Sequence, residues 1–276
     1  MSVFEAVVLG IVQGLTEFIP VSSSGHLIAV PHLLGWDYQG KAFDVAVHLG
    51  TLVAVVGYYR RDWARILRGF FVRLIMHRPH PADETSDAGG QMLVPILAAC
   101  VPAAVVGYLW EDVIENRLNQ WYFVAPALVV FGLILLAADR LGRKNRRVGA
   151  MGYADYLIIG CAQALALFPG VSRSGVTISA GLFLGLDRAA AARFSFLLST
   201  PIILGAGMLS LRSVVQGGLP AQELSAFIWG FVSAAVSGYA AIHFLISYLR
   251  RFPVDVFVVY RILLAVALVG VFLLKG

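Results

Sequence analysis

The sequence has few charged residues and few cysteines. Only 13% of its 276 residues are charged and 59% are hydrophobic, whereas a soluble domain carries about 25% charged residues. This composition argues against a soluble domain and indicates a helical membrane protein. The two cysteines, Cys100 and Cys161, both lie in apolar runs. They are predicted to be buried thiols rather than a disulfide.

Several common sequence signatures are also missing. A P-loop requires G-x-x-x-x-G-K-[ST], and no lysine follows a glycine loop here; the zinc-binding pattern H-E-x-x-H is absent too. The net charge of +5 comes from a few arginine-rich loops. Such loops report membrane topology, so no nucleic-acid partner is expected.

Six segments are long and apolar enough to cross a membrane. A span needs roughly 20 mostly apolar residues. The basic loops at 60–78, 140–147 and 250–251 are expected to stay in the cytoplasm. An interfacial helix is predicted at 62–77 and a polar loop at 79–90. The predicted spans are 41–59, 91–110, 121–139, 189–211, 223–249 and 254–274.

Two further apolar segments, 1–35 and 153–186, are interrupted near their middle by proline, glycine and serine. A single crossing by each would break the alternation of basic and non-basic loops. We therefore predict two re-entrant helical hairpins, the first opening to the outer face and the second to the cytoplasm.

The two interrupted segments resemble each other. With residues 10–28 set over residues 160–178, at a constant offset of 150, nine of nineteen positions are identical, including an ordered F-x-x-V-S-x-S-G core. Three spans separate the hairpins, so the halves 1–150 and 151–276 are predicted to form an inverted-topology repeat within one membrane domain. The predicted fold is an all-α polytopic membrane protein, with six transmembrane helices and two re-entrant hairpins that meet near the midplane.

The interruptions are predicted to line a polar cavity, because irregular backbone at membrane depth must be buried or solvated. Each precedes a helix N-terminus, which favours anions. Arg173 suits phosphate oxygens, while Glu17 and His26 add a carboxylate and an imidazole. The alternative is a buried ion network that only holds the hairpins together. The candidate phosphate-binding residues here are Ser22, Ser24, Gly25, Gly170, Ser172, Ser174 and Gly175.

Other polar residues in the apolar segments receive structural interpretations. His48 is interpreted as a packed polar residue, and Asp44 as a residue near an entry point. Arg188 and Arg193 are expected to extend their charges to the interface. Arg261 is expected to pair with a carboxylate or a carbonyl group, and no function is assigned to it.

Two segments of the chain resemble a known family. "QGLTEFIPVSSSGH" (13–26) and "PGVSRSGVT" (169–177) are similar to the two signature segments of the bacterial undecaprenyl-diphosphate phosphatase family, the bacitracin-resistance type. The resemblance covers nearly the whole chain. It implies an inner-membrane enzyme that hydrolyses undecaprenyl diphosphate to the monophosphate and inorganic phosphate, recycling the lipid carrier for cell-wall synthesis. It also implies an active site open to the periplasm and a divalent cation, Mg²⁺ or Ca²⁺.

The resemblance also assigns roles to residues. Gln13 and Glu17 match a metal-binding E/Q-x-x-x-E element, and Ser23 and His26 match the loop serine and histidine. Many members of the family have two glutamates in this element, whereas this chain has Gln13 at the first position. Glu17 must therefore carry most of the negative charge here. The P-G-x-S-R-S-x-x-T element places phosphate-binding residues at Ser172, Arg173, Ser174 and Thr177.

Several functional alternatives stay open from the sequence. Ser23 is the expected nucleophile, with Glu17 or His26 taking its proton; a phosphohistidine at His26 or attack by metal-bound water are alternatives. A lipid-phosphate transporter is the competing class, because inverted repeats with broken helices are typical of transporters. A PAP2-type phosphatase ranks third, since its motif order fails. The sequence is compatible with a homodimer surrounded by membrane lipids.

Overall fold

The structure, a computed structural model, describes residues 1–76, 91–116, 121–217 and 223–275, and the regular secondary structure in these ranges is helical. Eleven α-helices, one short 3₁₀ turn at Val148–Ala150 and no strand occur in these ranges. The helices are α1 (Val3–Phe18), α2 (Ser23–Leu34), α3 (Lys41–Tyr58), α4 (Arg60–Met76), α5 (Leu93–Asn116), α6 (Trp121–Leu141), α7 (Tyr153–Leu165), α8 (Arg173–Phe183), α9 (Arg188–Gly217), α10 (Leu224–Leu249) and α11 (Asp255–Lys275).

Six of the described helices are long and apolar enough to cross a membrane, and they match the six spans predicted from sequence. Many large apolar side chains on these helices are exposed on the outside of the protein, which is the surface that lipid would cover. The predicted helix at 62–77 is α4, whereas the predicted loop at 79–90 lies outside the described residues. The six spans are Lys41–Tyr58, Leu93–Trp110, Tyr122–Leu141, Arg188–Leu209, Leu224–Leu249 and Asp255–Leu273.

The two interrupted segments each form a pair of short helices. Residues 19–22 join α1 to α2, and residues 166–172 join α7 to α8. The first helices of the two pairs begin alike: the backbone N–H of Ser2 donates to Glu5 at 2.8 Å, and that of Gly152 donates to Asp155 at 2.8 Å. Glu5 and Asp155 are repeat-equivalent, so both carboxylates satisfy a free N–H at a helix start.

Asp155 also pairs with Arg146 at 2.6 Å. Burial by itself raises the pKa of Asp155, but the hydrogen bonds from Arg146 and Gly152 and the Arg146 charge outweigh burial and hold this pKa below its usual value. The carboxylate therefore stays ionised and ties the 140–147 loop to the start of α7.

Glycines allow the short helices to approach the long ones. A Cβ atom at Gly10 of α1 would collide with the Gly230 carbonyl of α10. At the equivalent position in α7, a Cβ atom at Gly160 would collide with the Ala99 carbonyl of α5. Small residues at such contacts are the usual way in which membrane helices pack closely. Each short helix thus packs on a long helix from the other half of the chain.

Ion pairs join helix ends where the basic turns meet. Arg188 binds Asp139 with Nε at 2.5 Å, and Arg193 binds Asp62 with Nη2 at 2.6 Å. Asp139 is buried and Asp62 is largely so. The sequence interpretation of Arg188 and Arg193 as interfacial charges did not include these carboxylate partners on other helices.

Candidate active site

The two connecting loops share an unusual backbone conformation. Ser22 and Ser172 have φ values of 76° and 70°, a region that favours glycine. Each is the N-cap of the following helix, and each hydroxyl accepts a hydrogen bond from the backbone N–H three residues on, that of Gly25 or Gly175. Strained backbone of this kind persists where the surrounding structure enforces it, as at functional sites.

The loops contact each other directly. The backbone N–H of Gly170 donates to Ser24 Oγ at 3.4 Å, and Ser174 Oγ donates to the Ile19 carbonyl at 3.3 Å. Each contact joins one loop to the other half of the chain. The serines are paired within each loop as well, at 3.1 Å for Ser22–Ser24 and 3.3 Å for Ser172–Ser174.

Arg261 of α11 holds both loops from behind. Its side chain is fully buried, and its Nη atoms donate to the carbonyls of Pro20 in the first loop and Gly170 and Val171 in the second. Its Nε donates to the Leu128 carbonyl of α6 at 2.9 Å. The expectation of a carbonyl partner is thus confirmed, and the structure adds the role that the sequence did not show: one guanidinium binds the loops of both halves.

Glu17 is the centre of the polar cluster. Its Oε1 accepts from Arg173 Nη2 at 2.6 Å, and its Oε2 accepts from Ser23 Oγ at 2.6 Å and from Gln13 Nε2 at 3.0 Å. His48 Nε2 lies 3.8 Å from Oε2. Glu17 is 8% exposed, so its charge is compensated mainly by these neighbours.

This cluster opens into a cavity of about 640 Å³, which we call the serine-loop cavity. The end of α1, the starts of α2 and α3, the second loop with the start of α8, and the middle of α9 form its walls. Apolar residues of α9, such as Ile202 and Ile203, face the polar side. A phosphate group with an apolar tail matches this division of polar and apolar walls. The polar lining residues are Glu17, Ser22, Ser23, Ser24, Tyr38, Lys41, Asp44, His48, Ser172 and Arg173.

Comparison with known proteins identifies the family. The family model for bacitracin resistance protein BacA matches residues 6–267. The chain belongs to this family. A protein of Rubrobacter xylanophilus is 49% identical over 99% of both chains, and one of Thermomicrobium roseum is 46% identical over 97% of both. One of Desulforudis audaxviator is 44% identical over the full length of both. All three are named undecaprenyl-diphosphatase.

In this BacA-family chain, the structure brings only some of the predicted site residues to the cavity. Glu17, Ser23 and Arg173 meet there, and Ser22, Ser24 and Ser172 line it. Thr177 is buried one turn further along α8, where its hydroxyl contacts Ser195 Oγ at 2.6 Å. Gly25, Gly170, Ser174 and Gly175 contribute to loop geometry and are not among the lining residues.

His26 lies behind the first loop. It is 5% exposed, its Nδ1 lies 2.7 Å from the Ser22 carbonyl, and its Nε2 lies 2.7 Å from the Tyr260 hydroxyl. With a partner at each ring nitrogen, the imidazole fixes the Ser22 turn. This geometry favours Glu17 over His26 as the base for Ser23.

Three polar residues of α3 that line the cavity, Lys41, Asp44 and His48, were not predicted to belong to the site. Asp44 and His48 are one turn apart, and both line the serine-loop cavity. The bond from His48 Nδ1 to the Asp44 carbonyl, 2.7 Å, leaves Nε2 toward Glu17. The interpretation of His48 as a packed polar residue missed this contact. The i, i+4 spacing on an otherwise apolar helix was the available signal.

The donors for a divalent cation are few. In the described part of the chain, no group of three or more His, Cys, Asp or Glu residues has metal-binding geometry. However, Gln13, which is buried behind the cavity lining, donates to Glu17 through its amide nitrogen and has no hydrogen-bond partner at its Oε1. A carboxylate and an amide oxygen fit Mg²⁺ or Ca²⁺ when a diphosphate and water supply the remaining oxygens.

Proposed function

We propose that this chain hydrolyses undecaprenyl diphosphate to undecaprenyl phosphate and inorganic phosphate. Three relatives that match nearly the whole chain are named for this activity. The observation that carries the mechanism is the position of Glu17, which holds the Ser23 hydroxyl on one oxygen and the Arg173 guanidinium on the other. This arrangement unites a nucleophile, a base and a phosphate ligand.

Arg173 binds the terminal phosphate in this proposal. Its Nη1 donates to the Ser199 carbonyl at 3.3 Å and its Nη2 to Glu17, so the fork is oriented before substrate enters. The guanidinium lines the cavity at the first turn of α8, where helix N–H groups also favour an anion. The polyprenyl chain leaves along the apolar wall of α9.

Ser23 forms a covalent intermediate. Its Oγ attacks the terminal phosphorus while Glu17 Oε2 takes the hydroxyl proton; the bridging P–O bond breaks, and the proton passes to the departing lipid monophosphate. Water then attacks the phosphoserine. Glu17 takes a proton from that water and returns it to Ser23 Oγ as inorganic phosphate leaves. The 2.6 Å contact between Ser23 and Glu17 supports this transfer.

Glu17 and Gln13 would hold a divalent cation, Mg²⁺ or Ca²⁺. When bound, such a cation screens the negative charge of the diphosphate. Because Gln13 is neutral, Glu17 would supply the only protein charge among these two ligands. Arg173 already compensates the charge of the Glu17 carboxylate. The substrate oxygens would therefore have to supply most of the ligands of the cation.

The names of the relatives and the Ser23–Glu17 contact favour hydrolysis over the competing transport function, since moving an anion needs no activated nucleophile. They also favour it over a PAP2-type site, whose motif order this chain does not follow.

The helix pairs α1–α2 and α7–α8 are proposed to be re-entrant hairpins of an inverted repeat in the bacterial inner membrane. The reciprocal packing of α1 on α10 and of α7 on α5 supports the repeat. The arginine-rich turns lie at the end of α3 and the start of α9, whereas the serine-loop cavity lies at the start of α3 and the middle of α9. By the preference of basic loops for the cytoplasm, the cavity opens to the periplasm.

The test is phosphate release from undecaprenyl diphosphate by the purified full chain in detergent, with Mg²⁺, with Ca²⁺ and with EDTA. Release with either cation, its loss in EDTA and the appearance of undecaprenyl phosphate would support the proposal. A Glu17→Gln chain with unchanged thermal unfolding provides the inactive control. A folded wild-type chain that releases no phosphate under any of these conditions would refute it.

A further inference from the structure

A second cavity lies at the other end of the same helices. It has a volume of about 580 Å³ and shares no lining residue with the serine-loop cavity. The end of α3 and start of α4, residues 147–148, the start of α9 and the end of α10 form its walls. We call it the arginine cavity. Its charged lining residues are Asp62, Arg65, Arg147, Asp187, Arg193 and Arg250.

Positive charge exceeds negative charge in the arginine cavity. Four arginines face two aspartates, which leaves an excess of two positive charges. Asp62 is already bound by Arg65 at 2.7 Å and by Arg193 at 2.6 Å. Asp187 caps α9, since its Oδ1 accepts the backbone N–H of Ala190 at 2.8 Å.

Two of the four arginines keep their charge available. Within the described residues, the side chains of Arg147 and Arg250 make no ion pair or hydrogen bond, and both are exposed at the cavity mouth. Asp62 is paired with Arg65 and Arg193, and Asp187 accepts the Ala190 N–H. These two cations are therefore ready to meet an external anion.

Tyr59 gives an independent sign of a ligand. Its side chain is 5% exposed and lines the cavity, yet its hydroxyl has no hydrogen-bond partner. A buried hydroxyl without a partner costs stability, so such groups are rare unless something else binds them. The Tyr59 ring packs against the buried Phe196 ring, with centroids 6.3 Å apart.

We propose that the arginine cavity is a second phosphate-binding site, on the basic face of the protein. The excess of two positive charges matches a dianionic phosphate monoester, and arginine forks match phosphate oxygens in shape. The first turn of the 30-residue helix α9 adds its partial positive charge. Tyr59 donates the remaining hydrogen bond. The phosphate group belongs to a lipid headgroup or to free phosphate, and this inference does not depend on hydrolysis in the serine-loop cavity.

Binding is measured by titration calorimetry on the full chain in nanodiscs of zwitterionic phosphatidylcholine. The chain carries Arg173→Ala, which weakens phosphate binding in the serine-loop cavity. The probes are inorganic phosphate in one arm and farnesyl monophosphate in the other. Binding of inorganic phosphate identifies free phosphate as a ligand, whereas binding of farnesyl monophosphate alone identifies a lipid headgroup.

The Arg147→Gln, Arg250→Gln pair is expected to weaken binding about tenfold or more, the loss expected for a charged hydrogen bond. Arg143→Gln, Arg251→Gln is the matched control, because these exposed neighbours do not line the cavity. Tyr59→Phe, which keeps the buried ring, is expected to weaken binding as well. Equal affinity in the two arginine pairs, or no binding of either probe by the parent chain, would overturn the proposal. Phosphate release is measured separately in chains that keep Arg173. It is expected to be the same for the two double arginine variants.

Discussion

Residues 23 and 173 occupy equivalent positions of the repeat and are the first residues of α2 and α8. One is a serine and the other an arginine, and both contact Glu17, one at each carboxylate oxygen. The position of Glu17 in the second half is Leu167. The repeat thus supplies two similar backbones, and the few positions that differ between the halves supply the chemistry.

The role of Ser23 is separable from that of its neighbour. Ser23→Ala removes the group that contacts Glu17, and its kcat is expected to fall by roughly 10²–10⁴-fold, as for loss of a nucleophile with its base. Ser24→Ala removes a hydroxyl that binds the Gly170 N–H and is expected to act mainly on KM. Steady-state phosphate release measures both. Equal loss of kcat in the two variants would contradict a nucleophilic Ser23.

Gln13 sets the demand for metal. Gln13→Glu places a second carboxylate beside Glu17, and the Mg²⁺ concentration that gives half-maximal activity is expected to fall. Without metal, the like charges repel, so the thermal unfolding temperature in EDTA is expected to fall too. Gln39→Glu adds a carboxylate outside the cavity lining and serves as control. An unchanged metal requirement in Gln13→Glu would argue against Gln13 as a ligand.

The sequence predicted the meeting of Glu17, Ser23 and Arg173, because the glycine–serine loops and the buried charges stand out from an apolar background. It missed the contact of His48 with Glu17 and the clamp of Arg261 on both loops. Those depend on how distant helices pack. Arg261 is far from either loop in the chain, and no local pattern records its five carbonyl partners.

At the scale of helices, glycine contacts determine how closely the short helices α1 and α7 pack on the long helices α10 and α5. Gly10 and Gly160 are repeat-equivalent, and each faces a backbone carbonyl of a long helix from the other half. The positions of both loops depend on these contacts, because the loops follow directly on α1 and α7. Packing at a distance from the cavity therefore determines the geometry of the site.

A methyl group at such a contact is expected to move the helices apart. Gly160→Ala would meet the Ala99 carbonyl and is expected to cost about 1–3 kcal/mol of stability, as for overpacking. Gly205→Ala in α9 meets no atom within 4 Å and is the matched control. Thermal unfolding in detergent compares them. A Gly160→Ala chain as stable as Gly205→Ala would contradict the close helix contact.

The hydropathy of the sequence located the helices well, because each span must satisfy its backbone hydrogen bonds internally and cover itself with apolar side chains. It also located the two interruptions. It did not predict that α5 would pack on α7 or α10 on α1, since apolar faces are interchangeable until shape decides among them.

At the scale of the whole molecule, the two cavities lie toward opposite ends of α3; the arginine cavity is beside the start of α9 and the serine-loop cavity beside its middle. The serine-loop cavity contains the proposed chemistry, and the arginine cavity lies among the basic turns. This polarity along the membrane normal is the basis of the proposed orientation.

Cysteine labelling tests that orientation. In a chain with Cys100→Ala and Cys161→Ala, Asp37→Cys marks the exposed connection beside the serine-loop cavity and Arg143→Cys marks a basic turn. An impermeant maleimide is expected to label position 37 in intact spheroplasts and position 143 only after lysis. The reverse pattern would invert the proposed topology.

Whether one site is built from both halves of the chain is tested most directly by kcat for phosphate release by Arg173→Ala. Arg140→Ala is the control, because Arg140 forms an exposed ion pair with Asp255 away from the cavity. If both halves build the site, kcat is expected to fall by roughly 10²-fold or more in Arg173→Ala, as for removal of a preorganised electrostatic contact, and to stay normal in Arg140→Ala. Full turnover by a folded Arg173→Ala chain would contradict a site built from both halves.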